Sequence, residues 1–172
     1  MLTLSLLRHG KSAWDDPGLD DHDRPLARRG RDAAEAMGAW LHANGPRPDL
    51  VLCSSAVRTR QTLERLLIEL RPPRPEVVNE PALYLATATT MLALVRKVRP
   101  DVRNLMIVGH NPGMHALALD LTGTGLRRDI ASMAMKFPTC GLAVLTFDVE
   151  AWSEVRPASG QLVKFLPPRS LA

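Results

Sequence analysis

Leu105-Met106-Ile107-Val108-Gly109-His110-Asn111-Pro112-Gly113 is the stretch on which the fold turns. Four apolar residues run without interruption and stop at a glycine, two polar residues and a Pro-Gly pair. A short apolar run bounded by turn-forming residues reads as a buried strand. Helical character follows from Met114 to Leu121, and Gly123-Thr124-Gly125 breaks it. The unit is strand, tight loop, helix, and it puts His110 on the loop at the strand's carboxyl end.

The same unit recurs towards the amino terminus. Leu2 to Leu7 reads as a strand running into Arg8-His9-Gly10, and Leu50 to Cys53 as a strand running into Ser54-Ser55 with Arg58 close behind. Between them lies a polar loop, Lys11 to Arg24, punctuated by Asp15-Asp16-Pro17-Gly18. Helices are predicted over about Leu26 to Asn44, stopped by Gly45-Pro46, and about Ala56 to Leu70, stopped by Pro72-Pro73. Val77-Val78 suggests a third strand, and Thr89 to Val98 a helix ended by Pro100. Leu142 to Phe147 and Trp152 to Arg156 read as a closing pair of strands, with room for a last one at Leu162 to Leu166. Strand and helix alternate throughout, so the expectation is an α/β fold: a mostly parallel central sheet covered by helices on both faces, a three-layer sandwich. With 172 residues and no linker or repeat, residues 1–172 form a single domain.

Composition narrows the function. Hydrophobic residues make up 45% and charged residues 23%, the balance of a soluble globule. Two cysteines, Cys53 and Cys140, are too few for a disulfide scaffold, and both read as buried small hydrophobes. The opening apolar run lacks a basic lead and meets Arg8-His9 at once, unlike a signal peptide, and no apolar run is long enough to span a bilayer. The expectation is a cytoplasmic protein with no membrane partner. Net charge is +4, carried by 18 arginines and four lysines scattered along the chain. With aromatics at only 4%, nothing suggests the basic, stacking surface that nucleic acid requires.

In open α/β sheets ligands bind beyond the carboxyl ends of the strands. A parallel sheet would gather Arg8, His9, Arg58 and His110 at one edge. Arginines beside the histidines would repel a dication, so no metal is expected, and no cofactor. Two guanidinium forks match phosphoryl oxygens. A neutral imidazole, with an ordinary pKa near 6.5, is a competent nucleophile towards phosphorus. A second imidazole, once protonated, adds a donor where transition-state charge collects. Ser54 and Ser55 read as helix caps, and His22, His42 and His115 as solvent or packing residues.

Leu7-Arg8-His9-Gly10-Lys11-Ser12 resembles the signature of the histidine phosphatase superfamily. Three further blocks resemble its small SixA-type branch, the phosphohistidine phosphatases: Asp23-Arg24-Pro25-Leu26 with Arg29-Gly30, Ser54 through Thr62, and Val108 through Gly113. The resemblance implies a phosphoglycerate mutase-like fold and a covalent phosphohistidine on His9. It also implies Arg8 and Arg58 on the phosphoryl oxygens, His110 completing the pocket, and Arg24 as a further substrate-binding residue. The second ring nitrogen of His9 should donate to a backbone carbonyl, leaving the attacking lone pair free.

Larger members of the superfamily use a carboxylic acid after the middle strands to protonate the leaving group. Here Asn79-Glu80-Pro81-Ala82-Leu83-Tyr84 resembles the SixA-type pattern, and Glu80 is the candidate acid, although its place before Pro81 suits capping equally. Asp15, Asp16 and Asp23 are other carboxylates within loop reach, and none stands out. An imidazole leaving group needs less acid assistance than an alkoxide, which favours a phosphorylated protein, as phosphohistidine, over a small phosphorylated substrate. A small-molecule phosphomonoesterase and a non-catalytic phosphate-binding module are the alternatives. A pure binder has no use for a nucleophilic imidazole between two arginines.

Overall fold

The computed structural model describes residues 1–171. In chain order the strands are β1 (Leu2–Arg8), β2 (Leu50–Cys53), β3 (Glu76–Asn79), β4 (Asn104–Gly109), β5 (Thr122–Gly125), β6 (Leu142–Phe147) and β7 (Gly160–Leu166). The α-helices are α1 (Arg28–Asn44), α2 (Val57–Leu70), α3 (Ala88–Arg96), α4 (Gly113–Leu121) and α5 (Arg127–Met135).

The strands form one sheet in the order β3-β2-β4-β1-β6-β7-β5. β3, β2, β4 and β1 run parallel to their neighbours, while β6 is antiparallel to β1 and to β7. The central strands are apolar on both faces because both faces are covered. Alternate residues go to opposite sides: Leu105 and Ile107 of β4 join one core, Met106 and Val108 the other. The first core includes Met91 and Val95 of α3, Met114, Leu117 and Leu121 of α4, and Met133 of α5. The second is closed by Met37 and Leu41 of α1 and Leu63, Leu66, Leu67 and Leu70 of α2, at helical spacing. α1 and α2 approach closely where Gly38 faces the Leu66 carbonyl, a spot with no room for a Cβ.

The first four strands and their helices follow the sequence pattern to within a few residues. The carboxyl-terminal third departs from it. Trp152 to Arg156 is not a strand: Trp152–Glu154 forms a 3-10 turn whose indole is fully buried and donates from Nε1 to the Val102 carbonyl at 2.7 Å. Its apolar character serves to plug the core rather than to pair in the sheet. The strand partner of β6 is β7, at the Leu162–Leu166 run. Thr122–Gly125, expected only as a helix breaker, is an edge strand, and α5 had no counterpart in the sequence pattern. No described helix is long and apolar enough to cross a membrane.

Candidate active site

β1 and β4 run in register to their ends, with Arg8 beside Gly109, and β2 ends with Cys53 beside Val108. The backbone ladder continues one residue past these ends. The His9 amide donates to the Gly109 carbonyl at 3.1 Å, and the Ser54 amide to the Val108 carbonyl at 3.0 Å. His9, His110 and Ser54 are thereby set side by side by main-chain bonds alone. The two imidazole centroids lie 5.3 Å apart.

A cleft of about 260 Å³ opens over them. Arg8, His9, Lys11, Ser12, Trp14, Arg24, Arg58, Leu85, His110, Asn111 and Thr139 line it. The four residues expected to converge do converge, and Arg24 joins them. Glu80 does not: its carboxylate accepts the Ala82 amide at 3.1 Å and caps the Pro81–Leu83 turn, away from the lining.

His9 Nδ1 donates to the Gly10 carbonyl at 2.7 Å, as expected, which leaves Nε2 unprotonated with its lone pair free. The Gly10 amide donates in turn to Thr62 Oγ1 at 2.9 Å, and the Thr62 hydroxyl donates to the Arg58 carbonyl, tying the nucleophile loop to α2. Gly30 explains its place in the sequence block. A Cβ there would overlap the Lys11 carbonyl, so only glycine lets the first turn of α1 press against the loop that holds His9.

Each arginine is anchored at its tip. Arg8 Nη1 donates to the Phe137 carbonyl at 3.1 Å. Arg58 Nη1 donates to the Asp21 carbonyl at 2.7 Å, and Nη2 to Asp21 Oδ2 at 3.0 Å. Arg24 donates from Nε and Nη2 to Asp21 Oδ1, and from Nη1 to Ser12 Oγ at 2.7 Å, with its guanidinium 3.4 Å from the Trp14 ring centre. The Nε atoms of Arg8 and Arg58 and the Nδ1 of His110 are buried without a protein partner. Such groups are expensive to bury unpaired, and around a cleft they are donors awaiting an anion.

The electrostatics agree. Burial, then the charges of Arg58, Arg8 and Arg24, push His9 down to about 4, against the opposing pull of its bond to Gly10. Burial, followed by His9 and Arg58, pushes His110 down to about 3. Burial and the nearby Arg58 also lower Arg8. Both rings are therefore neutral at pH 7 in the empty cleft, and a phosphoryl dianion between the arginines would raise both towards protonation.

With this geometry the relatives fall into place. The family profile described as Histidine phosphatase superfamily (branch 1) matches residues 4–84, which hold Arg8, His9, Arg24 and Arg58. A protein of Mycobacterium tuberculosis, itself uncharacterized, is 42% identical over 165 residues, 95% of this chain and 100% of the relative. Among solved structures, a protein assigned as the phosphohistidine phosphatase SixA of Nakamurella multipartitia superposes with a TM-score of 0.83 at 32% identity, over 97% of this chain and 96% of the other. A second, assigned likewise, from Agrobacterium tumefaciens, gives 0.81 at 33% identity, over 97% and 98%. The chain belongs to the histidine phosphatase superfamily, in its SixA-type branch. This membership supports a phosphatase acting on a phosphorylated substrate.

Seen as a SixA-type site, several residues have roles the sequence did not suggest. Ser54, expected to cap α2, instead has its hydroxyl 2.7 Å from His110 Nε2, while the N-cap position falls to Ala56, whose side chain makes no cap bond. This bond turns His110 so that Nδ1 is the free nitrogen. The segment from Phe137 to Gly141 supports the floor: the Phe137 carbonyl takes both Arg8 and Asn111, and the Cys140 amide binds back to the end of β1. Asp21 was not singled out among the loop carboxylates, although an acid three residues before Arg24 was a readable signal. Cys53 and Cys140 are buried, and burial pushes both thiols up to about 12. His42 binds the Leu70 carbonyl and His115 the Met133 carbonyl, both packing roles, whereas His22 sits nearer the site, bonded to Ser55 and edge-on to Tyr84.

Proposed function

We propose that the chain is a metal-independent phosphohistidine phosphatase working through a covalent intermediate on His9. The observation that carries the mechanism is the bond from His9 Nδ1 to the Gly10 carbonyl, which leaves Nε2 as a nucleophile amid the unpartnered nitrogens of Arg8, Arg58 and His110. Nε2 attacks phosphorus, and a new N–P bond forms as the substrate's P–N bond breaks. The leaving imidazole keeps the bonding pair and departs neutral once protonated by solvent. Water then attacks the phosphorylated His9, the N–P pair returns to Nε2, and the displaced proton leaves with inorganic phosphate or solvent. Arg8, Arg58 and Arg24 hold the equatorial oxygens where charge collects, and the amino-terminal end of α4 adds its dipole. Gly113 lets that helix end approach, since a Cβ there would overlap the Ala86 carbonyl.

Metal independence is supported by the arginines, whose charge repels a dication in the same cleft. Phosphohistidine as substrate is supported by the lining itself. It contains no carboxylic acid, and Glu80 is engaged in its cap. A sugar alkoxide needs a positioned acid to leave, whereas an imidazole with a pKa near 6.5 does not. A phosphorylated protein in the cytoplasm is the substrate that fits this reading.

The experiment compares initial rates, in excess chelator, on a phosphohistidine-bearing protein and on a panel of sugar phosphates. The protein should be dephosphorylated at least about tenfold faster in kcat/KM, a margin worth about 1.4 kcal/mol in the barrier. Faster turnover of a sugar phosphate would make the chain a small-molecule phosphomonoesterase, and a requirement for added metal would overturn the mechanism.

A further inference from the structure

Asp21 stands on a three-residue 3-10 turn (Asp21–Asp23) outside the sheet, yet it joins three separate segments at the cleft. Its carboxylate binds Arg24 on the same loop, Arg58 from α2 and the hydroxyl of Tyr84 from beyond β3. Its own carbonyl takes Arg58 Nη1. Exposed ion pairs contribute little, but here the cations are not exposed: the side chains of Arg58 and Arg24 are 4% and 9% accessible against 45% for Asp21.

The two phosphoryl-facing arginines are braced differently. Arg8 is held by a neutral carbonyl, that of Phe137, while Arg58 is held by a carboxylate. Arg8 is tied through Nη1 alone and Arg58 through both Nη1 and Nη2, while Nε has no protein partner in either. A carbonyl fixes direction only. A carboxylate also offsets charge, and it does so where two guanidinium groups share one anion. Tyr84, Arg24 and Arg58 together hold the Asp21 carboxyl well below the ordinary carboxylate range, so it stays ionised and has no proton to give a leaving group.

We propose that Asp21 is a positioning residue that locks Arg58 and Arg24 into one cationic fork, and that its charge limits how tightly the cleft retains product phosphate. The inference rests on reading the cleft as a site of phosphoryl transfer. Without Asp21 the arginine tips lose their common anchor, and transition-state oxygens meet donors that are no longer aligned. The cleft becomes more positive at the same time, so a ground-state anion is held no less well.

Asp21→Asn keeps the shape and one acceptor oxygen but removes the charge. Turnover of a chromogenic aryl phosphate, inhibition by inorganic phosphate and thermal melting are measured together on the full chain. The expected result is a fall in kcat of at least about tenfold, since misaligned groups a fraction of an ångström from their place lose rate steeply, with tighter phosphate inhibition. A smaller fall in kcat, or phosphate inhibition that stays unchanged or weakens alongside kcat as a merely structural role would require, overturns the proposal. Should this variant fail to fold, Tyr84→Phe decides. It removes only the hydroxyl that holds the carboxylate, and a lower kcat with unaltered phosphate inhibition supports the brace, while wild-type kcat overturns it. The two readings fail separately. If the wild-type chain does not turn over aryl phosphate, the phosphatase reading fails, and calorimetry of inorganic phosphate on both chains still reports the effect of the Asp21 charge.

Discussion

At the floor of the cleft, Arg8, His9 and His110 leave strand ends whose main chains are bonded to one another, whereas at the rim Asp21, Arg24 and Tyr84 meet through side chains. The floor is buried in register between two cores, so its geometry is fixed by the same ladder that makes the sheet. The rim hangs on loops, exposes about half of its Asp21 side chain, and depends on the attraction between that carboxylate and two buried guanidinium groups. A rigid base can aim a nucleophile. A looser, charged margin can admit a substrate and release phosphate, because local stability is lowest where few buried contacts hold a segment.

Arg58 spans the two regions, rooted in α2 and tied to Asp21, and its loss should have the largest effect. Arg58→Ala is expected to lower kcat by about 10²–10³-fold on an aryl phosphate, the usual loss for one donor to transition-state charge. A loss of under tenfold would mean that the floor works without the rim.

The floor should also show itself in stability against pH. An unfolded imidazole takes a proton near 6.5, while the fold pushes His9 to about 4 and His110 to about 3. Between those values the unfolded chain binds more protons, so stability falls as pH drops from about 6.5 towards 4, by a few kcal/mol in all on the order-of-magnitude scale of such linkage. Asp21 acts in the same sense, but lower down. Its depressed carboxyl contributes stability above its ordinary value, near 4, which is lost only on further acidification. Denaturant melts across this range should therefore steepen before the rim titrates, and saturating inorganic phosphate should flatten the slope by raising both histidines. A profile that is flat from pH 7 to 4.5 would contradict the burial of two neutral rings.

The contrast between floor and rim also marks what the sequence makes legible. His9, Arg58 and His110 follow apolar runs that can only be buried strands or the helix after one, so their convergence follows from topology. Asp21 and Tyr84 are separated by 63 residues and sit in no periodic pattern, so only the folded chain brings their side chains together. The same holds for the Phe137 carbonyl on Arg8, a main-chain contact across 129 residues that side-chain identity does not encode. Trp152 misleads for a related reason: an apolar aromatic suits a strand and a core plug equally, and its indole bond to Val102 selects the plug. Ser54 stands at a helix start, where hydroxyls usually cap, but an unsatisfied imidazole nearby is the stronger partner.

The smallest effect is expected at Glu80, outside the lining and engaged in its cap. Glu80→Ala should lower stability by about 0.5–1 kcal/mol through the lost cap and leave kcat within about twofold. A tenfold fall in kcat with alkyl phosphates would instead make Glu80 the missing acid.

The nucleophile itself is open to direct observation. The wild-type chain, quenched in base during turnover of a phosphorylated substrate and digested for mass spectrometry, should carry an acid-labile, base-stable phosphoryl group on His9. Steady turnover with no phosphate on His9, and full activity in His9→Ala, would contradict the account at its root.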